Sequence, residues 1–123
     1  MKAKSLCLLL FLVLGQSLHL FSVGHPILPV EPPGNGHTEN DPYLVESLAN
    51  LYWIAVETRN GNRFEGVFFL QTQDIDAAET LGWFDGAGWL PMGKFDHLPF
   101  SGTYDGGEHT ISNLHINRGD EED

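Results

Sequence analysis

Cationic residues and cysteine are scarce in this chain. Its 123 residues hold six Lys and Arg against seventeen Asp and Glu, a formal net charge of −11 at pH 7. A surface of that sign repels nucleic acid and anionic lipid, because phosphate binding needs Lys and Arg to displace counterions. The one cysteine, Cys7, lies in the apolar stretch near the start, so no disulfide can staple the remainder. Stability there must come from packing and backbone pairing. Beyond residue 23 no apolar run approaches the roughly 20 residues that cross a bilayer.

What is present begins with a leader. Lys2 and Lys4 form a basic start, residues 6–14 are an apolar run, and Ser22-Val23-Gly24 offers a small-x-small cleavage site. This is the layout of a secretory signal peptide over residues 1–24. An uncleaved anchor is the rival reading, against which Gly15, Gln16, Ser17 and His19 interrupt the apolar span. Cleavage removes Lys2 and Lys4 and no acid, leaving four cations against seventeen carboxylates and a net charge of −13. Residues 25–41 hold Pro26, Pro29, Pro32, Pro33, Gly34 and Gly36 with few apolar side chains, the composition of an extended linker. Residues 42–118 form the candidate folded domain, and 119–123 an acidic tail.

Within the domain, Tyr43-Leu44-Val45 reads as a short strand and Ser47 as a helix N-cap. Leu48, Leu51, Tyr52 and Ala55 then share one helical face, and Asn60-Gly61-Asn62 stops the element. Residues 66–72 are β-branched and aromatic, and Gln73-Asp74-Ile75-Asp76 continues as a second short strand. Residues 77–88 read as a loop, residues 89–93 return to an extended conformation with Pro91 favouring an edge, and a second loop covers 94–98. Residues 100–118 alternate short strands with Gly and Asn turns: Asp105-Gly106-Gly107 is one turn and Ser112-Asn113 another. Strands this short do not stand alone as hairpins, and they suit stacked rungs.

Five segments in order carry a resemblance: Asn40 to Val45, Leu48 to Ile54, Gln73 to Asp76, Gly88 to Gly93, and Phe100 to Arg118. Together they resemble the N-terminal segment of bacterial exported, adhesin-like proteins with GLUG-type repeats. The resemblance covers residues 40–118 and implies a mainly β fold: a short right-handed parallel β-helix of about three coils, with one N-terminal capping α-helix. The chain contains no copy of the GLUG repeat itself. Where similar proteins place a polar residue and then Gly after the Asp-Gly turn, this chain has Gly107 and then Glu108. If that second position needs φ > 0, Glu108 strains it by roughly 1 kcal/mol.

The chemistry-bearing residues each have a plainer reading. Asp74, Asp76, Asp85, Asp96 and Asp105 fall at strand ends or turns, where Ca²⁺ ligands lie, but Asp in a turn also bonds its own backbone. The Gly that follows in an EF-hand loop and a Gly-Gly-x-Gly-x-Asp array are both absent, so no cofactor or metal is expected, with Ca²⁺ as the alternative. Zinc sites need three or four ligands, and His109 and His115 come without cysteine. Asp105, Gly106, Gly107, His109 and Asn113 are assigned to ordering the turns, and His115 to a solvent-facing strand position. Trp53 and Trp89 are expected in the interior, because large aromatics are highly buried on average. Trp83, with Phe84 and Asp85 beside it, is the candidate for an exposed ligand contact.

These readings favour an exported, non-enzymatic surface or extracellular segment with a structural or adhesive role, displaying the loops 77–88 and 94–98. The expected partners are other surface proteins or glycans, with self-association through the open solenoid end, and neither nucleic acid nor, after leader cleavage, membrane. Two alternatives stand beside it. One is a carbohydrate-binding or carbohydrate-active module, whose sites would span several coils. The other is a fragment without independent function.

Overall fold

A computed structural model describes residues 24–93 and 99–119. The leader up to residue 23, the loop 94–98 with Asp96, and tail residues 120–123 lie outside the described residues. Five short strands and one helix make up the regular structure: β1 (Tyr43–Val45), α1 (Leu48–Arg59), β2 (Phe68–Gln71), β3 (Ile75–Asp76), β4 (Thr103–Asp105) and β5 (Ile111–Ser112).

The helix forms where its local signals place it. Ser47 is extended (φ −152°, ψ 164°) and its Oγ accepts from the Asn50 amide at 3.2 Å, satisfying one free N–H of the first turn. At the other end the Asn60 N–H reaches back to Val56 O and Glu57 O, and Gly61 follows at φ +102°. Leu48, Leu51, Tyr52 and Ala55 are buried as the periodicity requires, but so are Asn50, Ile54 and Thr58. The extra burial has a cause. Residues 25–41, read as a linker from their composition, lie along the helix and the first strand. Val30 N donates to Ala49 O at 3.1 Å, and Asn50 Nδ2 donates to Val30 O at 3.0 Å. Pro32 and Gly36 are buried, and Leu44 N donates to Pro33 O at 2.7 Å, covering the β1 edge.

All strand pairs are parallel. One sheet runs β1-β2-β4, with Phe69 between Tyr43 and Tyr104, and the second pairs Ile75 of β3 with Ile111 of β5. The core lies between these sheets and α1. Val45, Leu51, Ile54, Ala55, Phe64, Phe69, Ile75, Trp83 and Trp89 are buried there. Tyr43, Trp53, Phe64, Phe69 and Phe100 make a chain of ring contacts with centroids 5.2–6.2 Å apart, and such pairs add about 0.5–1.5 kcal/mol each beyond area burial.

The expected right-handed parallel β-helix of about three coils does not form. The described residues hold one three-stranded and one two-stranded sheet and no closed coil. Nor is the fold mainly β, since fourteen residues in strands stand against twelve in the helix. The physical reason lies in two segments. Residues 46–66 are taken up by α1 and its exit, which removes a rung from the second sheet. Where a third side would need extended backbone, Ala78–Gly82 is a 3₁₀ helix and Phe84–Gly86 a left-handed turn, with Phe84 at φ +49° and Asp85 at φ +55°. Past them the chain pairs with the outer layer through an isolated antiparallel bridge, Gly88 to Ile116, and not through a strand.

Candidate functional site

The polar side chains of residues 71–118 converge on the junction between the β2–β3 layer and the β4–β5 layer. Gln71 is its centre. It is 2% exposed, which demands that its amide be fully bonded. Its Nε2 donates to Gln73 O at 2.9 Å and to Thr110 O at 3.0 Å, while its Oε1 accepts from the Tyr104 hydroxyl at 2.8 Å. Burial pushes the Tyr104 phenol up to about 12. Thr80, fully buried, does the same job further along: its hydroxyl donates to Ala77 O at 2.6 Å and accepts from the His115 amide at 2.9 Å.

Two aspartates tie the layers from outside. Asp74 Oδ1 accepts from the Thr110 amide at 3.0 Å and lies 3.2 Å from His109 Nδ1. The Thr110 N–H, then His109, hold its carboxyl below the ordinary aspartate value. Asp76 Oδ1 accepts from Asn113 Nδ2 and from the Ala78 amide, both at 3.0 Å. The Asn113 amide is the larger cause of its lowered pKa, with the Ala78 N–H second. These carboxylates are structural acceptors, a role the sequence left open beside Ca²⁺ ligation.

Residues 105–109 turn the chain from β4 toward β5, and Asn113 follows β5. The Gly107 amide donates to Asp105 Oδ1 at 2.9 Å, and the His109 amide to Gly106 O at 2.9 Å. Gly107 takes φ +57° and passes so close to Gln71 O that a methyl there would overlap it. Glu108 follows at φ +63° and Asn113 at φ +60°. His115 is half-buried rather than solvent-facing, its Nε2 3.1 Å from Gly86 O.

Trp83, Phe84 and Asp85 do not form a common exposed face. Trp83 is 2% exposed, stacked on Trp89 at 5.9 Å and tilted against Tyr52 at 4.8 Å. It offers no ring face to a ligand. Phe84 remains 37% exposed with the Arg118 guanidinium 5.0 Å from its ring centroid. Asp85 is exposed, and its amide donates to Gly24 O at 3.2 Å. Arg118 also donates to Trp89 O and Gly88 O, fastening the end of the outer layer to this loop.

Sequence reasoning missed two hollows. One, of about 360 Å³, is lined by Glu39, Pro42, Phe68, Leu70, Thr103 and Asp105 along the outer face of the first sheet. The other, of about 290 Å³, is apolar and open, lined by Leu51, Trp89, Met92, Tyr104, Ile111 and Leu114. Its signal in the sequence is the apolar pair Ile111 and Leu114 in a polar stretch. Among the described residues no three of His, Cys, Asp and Glu come together to hold a metal ion, and no helix is long and apolar enough to cross a membrane.

No family model and no solved structure matches the chain. It is similar to Halomucin of Haloquadratum walsbyi, with 39% identity over 85 residues that cover 69% of this chain. The chain spans about 1% of that relative's length.

Proposed function

We propose that the chain is an exported, non-enzymatic module of the cell surface or extracellular space, with a structural or adhesive role. The observation that carries this reading is the use made of the polar side chains. Gln71, Asp74, Asp76, Thr80 and Asn113 are all spent on bonds that hold one layer of backbone to the next. Groups held this way stiffen a scaffold. Two further points support it: the leader-like residues 1–24, and similarity to a protein whose name describes a mucin, a class of extracellular protein. The resemblance to exported adhesin-like proteins points the same way. With Trp83 turned inward, the aromatic platform that a sugar-binding reading would use is missing at that position.

The test is to express the full chain with a C-terminal epitope and follow its export. The expected result is a mature N-terminus near residue 25, with the epitope reached by antibody on intact cells or recovered from the medium. Retention in the cytosol with residue 1 in place would overturn the reading.

A further inference from the structure

Among the described residues the β4–β5 layer ends on two unpaired strand edges, and the layer beneath it shows what such positions look like when covered. Ile75, beneath Ile111, is 4% exposed, whereas Ile111 is 38% and Leu114 41% exposed. Phe69, flanked by Tyr43 and Tyr104, is 1% exposed. Ile75 N donates to Thr110 O and Ala77 N to Ser112 O, so in a parallel ladder the N–H and C=O of Ile111 itself point to the open side. The apolar groove of about 290 Å³ lies beside these edges, between Tyr104 and Ile111.

Charge selects the occupant. Residues 99–118 hold Asp105 and Glu108 against one cation, Arg118, which is turned back onto Trp89 O and Gly88 O, and the Asp74 side chain below the strands is 72% exposed. A second copy, itself acidic with a net charge of −11 over the whole chain, would meet this rim with like charge. It could not stack head to tail either, because Pro33 already covers the β1 edge. We propose that β4 and β5 together accept one strand–turn–strand segment of a basic partner polypeptide, added in parallel by backbone pairing. One apolar side chain of that segment lies over Tyr104 and a second over Ile111. Those anchors stand six or seven residues apart, the spacing from Phe69 to Ile75 and from Tyr104 to Ile111. The inference goes beyond the surface-display reading, since the edge is open wherever the protein resides.

The probe is a fluorescent peptide, KVFKGGKHTISK, titrated against the full chain by anisotropy, with amide hydrogen exchange on the complex. Saturable binding with protection confined to residues 103–114 is expected. Binding should weaken about tenfold or more for a scrambled peptide of equal charge and for Ile111→Lys, as befits anchored strand addition. Leu114→Lys serves as the second variant if Ile111→Lys does not fold. No binding, or equal binding of the scrambled peptide, overturns the proposal. So does a doubling of solution mass in which the same strands of two copies protect each other.

Discussion

Glu108 holds a backbone angle that glycine would take without cost. Its φ of +63° follows Gly107 at +57°, so two successive left-handed residues turn the chain from β4 toward β5. A side chain in that region costs roughly 1 kcal/mol, whereas Gly loses only extra chain entropy on folding. Glu108→Gly is therefore expected to stabilise the protein by about 0.5 kcal/mol, the net of those two effects. Urea denaturation should show a higher midpoint at unchanged slope; a lower midpoint would mean that the Glu108 side chain has a bonding role. The strained position was legible because Glu108 stands where the proteins that this chain resembles place Gly. What was not legible is that the Gly before it is fixed by Gln71 O, a contact from a strand more than thirty residues earlier.

At the scale of elements, α1 is the part most fully written in its own residues. Ser47 caps it and Asn60-Gly61 ends it, and both signals are local. Ser47→Ala is expected to cost about 1 kcal/mol, because the Asn50 N–H loses its acceptor at a half-buried helix start. Thermal melting reads this directly: a drop of several degrees with unchanged helical circular dichroism is the expected result, and no change would show that the cap carries little. The strands were also legible as short extended pieces, since Tyr43–Val45, Phe68–Gln71 and Ile75–Asp76 fall where the sequence put them. Their partners were not, because parallel pairing over 26 to 36 residues leaves no mark in either strand alone.

For the whole molecule, the junction between layers depends on the Gln71–Tyr104 bond, which joins the core to the outermost strand. Burial raises the Tyr104 phenol from its ordinary value of 10.0 to about 12. The folded state thus holds this proton more tightly than the unfolded chain does. The stability it contributes is complete below pH 10, and is lost as pH rises from there through 12. Melting followed from pH 8 to pH 12 should show that alkaline decline in the wild type. Tyr104→Phe should lose about 1 kcal/mol at pH 7, from the missing hydrogen bond, and show a shallower decline. An equally steep decline in the variant would place the titration elsewhere.

By itself the sequence determined the elements that depend on neighbours in the chain: the capped helix, the short strands, the Asp-Gly-Gly turn and the acidic surface. It did not determine that residues 25–41 join the fold, that Trp83 turns inward, or that the strands stop at two small sheets instead of closing a coil. Those outcomes belong to the tertiary structure. Gly34 and Gly36 let the chain pass close against Pro42 and Tyr43, where a side chain would collide. Trp83 gains Tyr52 and Trp89 as ring partners only once α1 is docked. Closure needs extended backbone on a third side, and residues 78–86 form a 3₁₀ helix and a left-handed turn instead. In each case the deciding energy is a contact between segments far apart in the chain, and no local propensity encodes it.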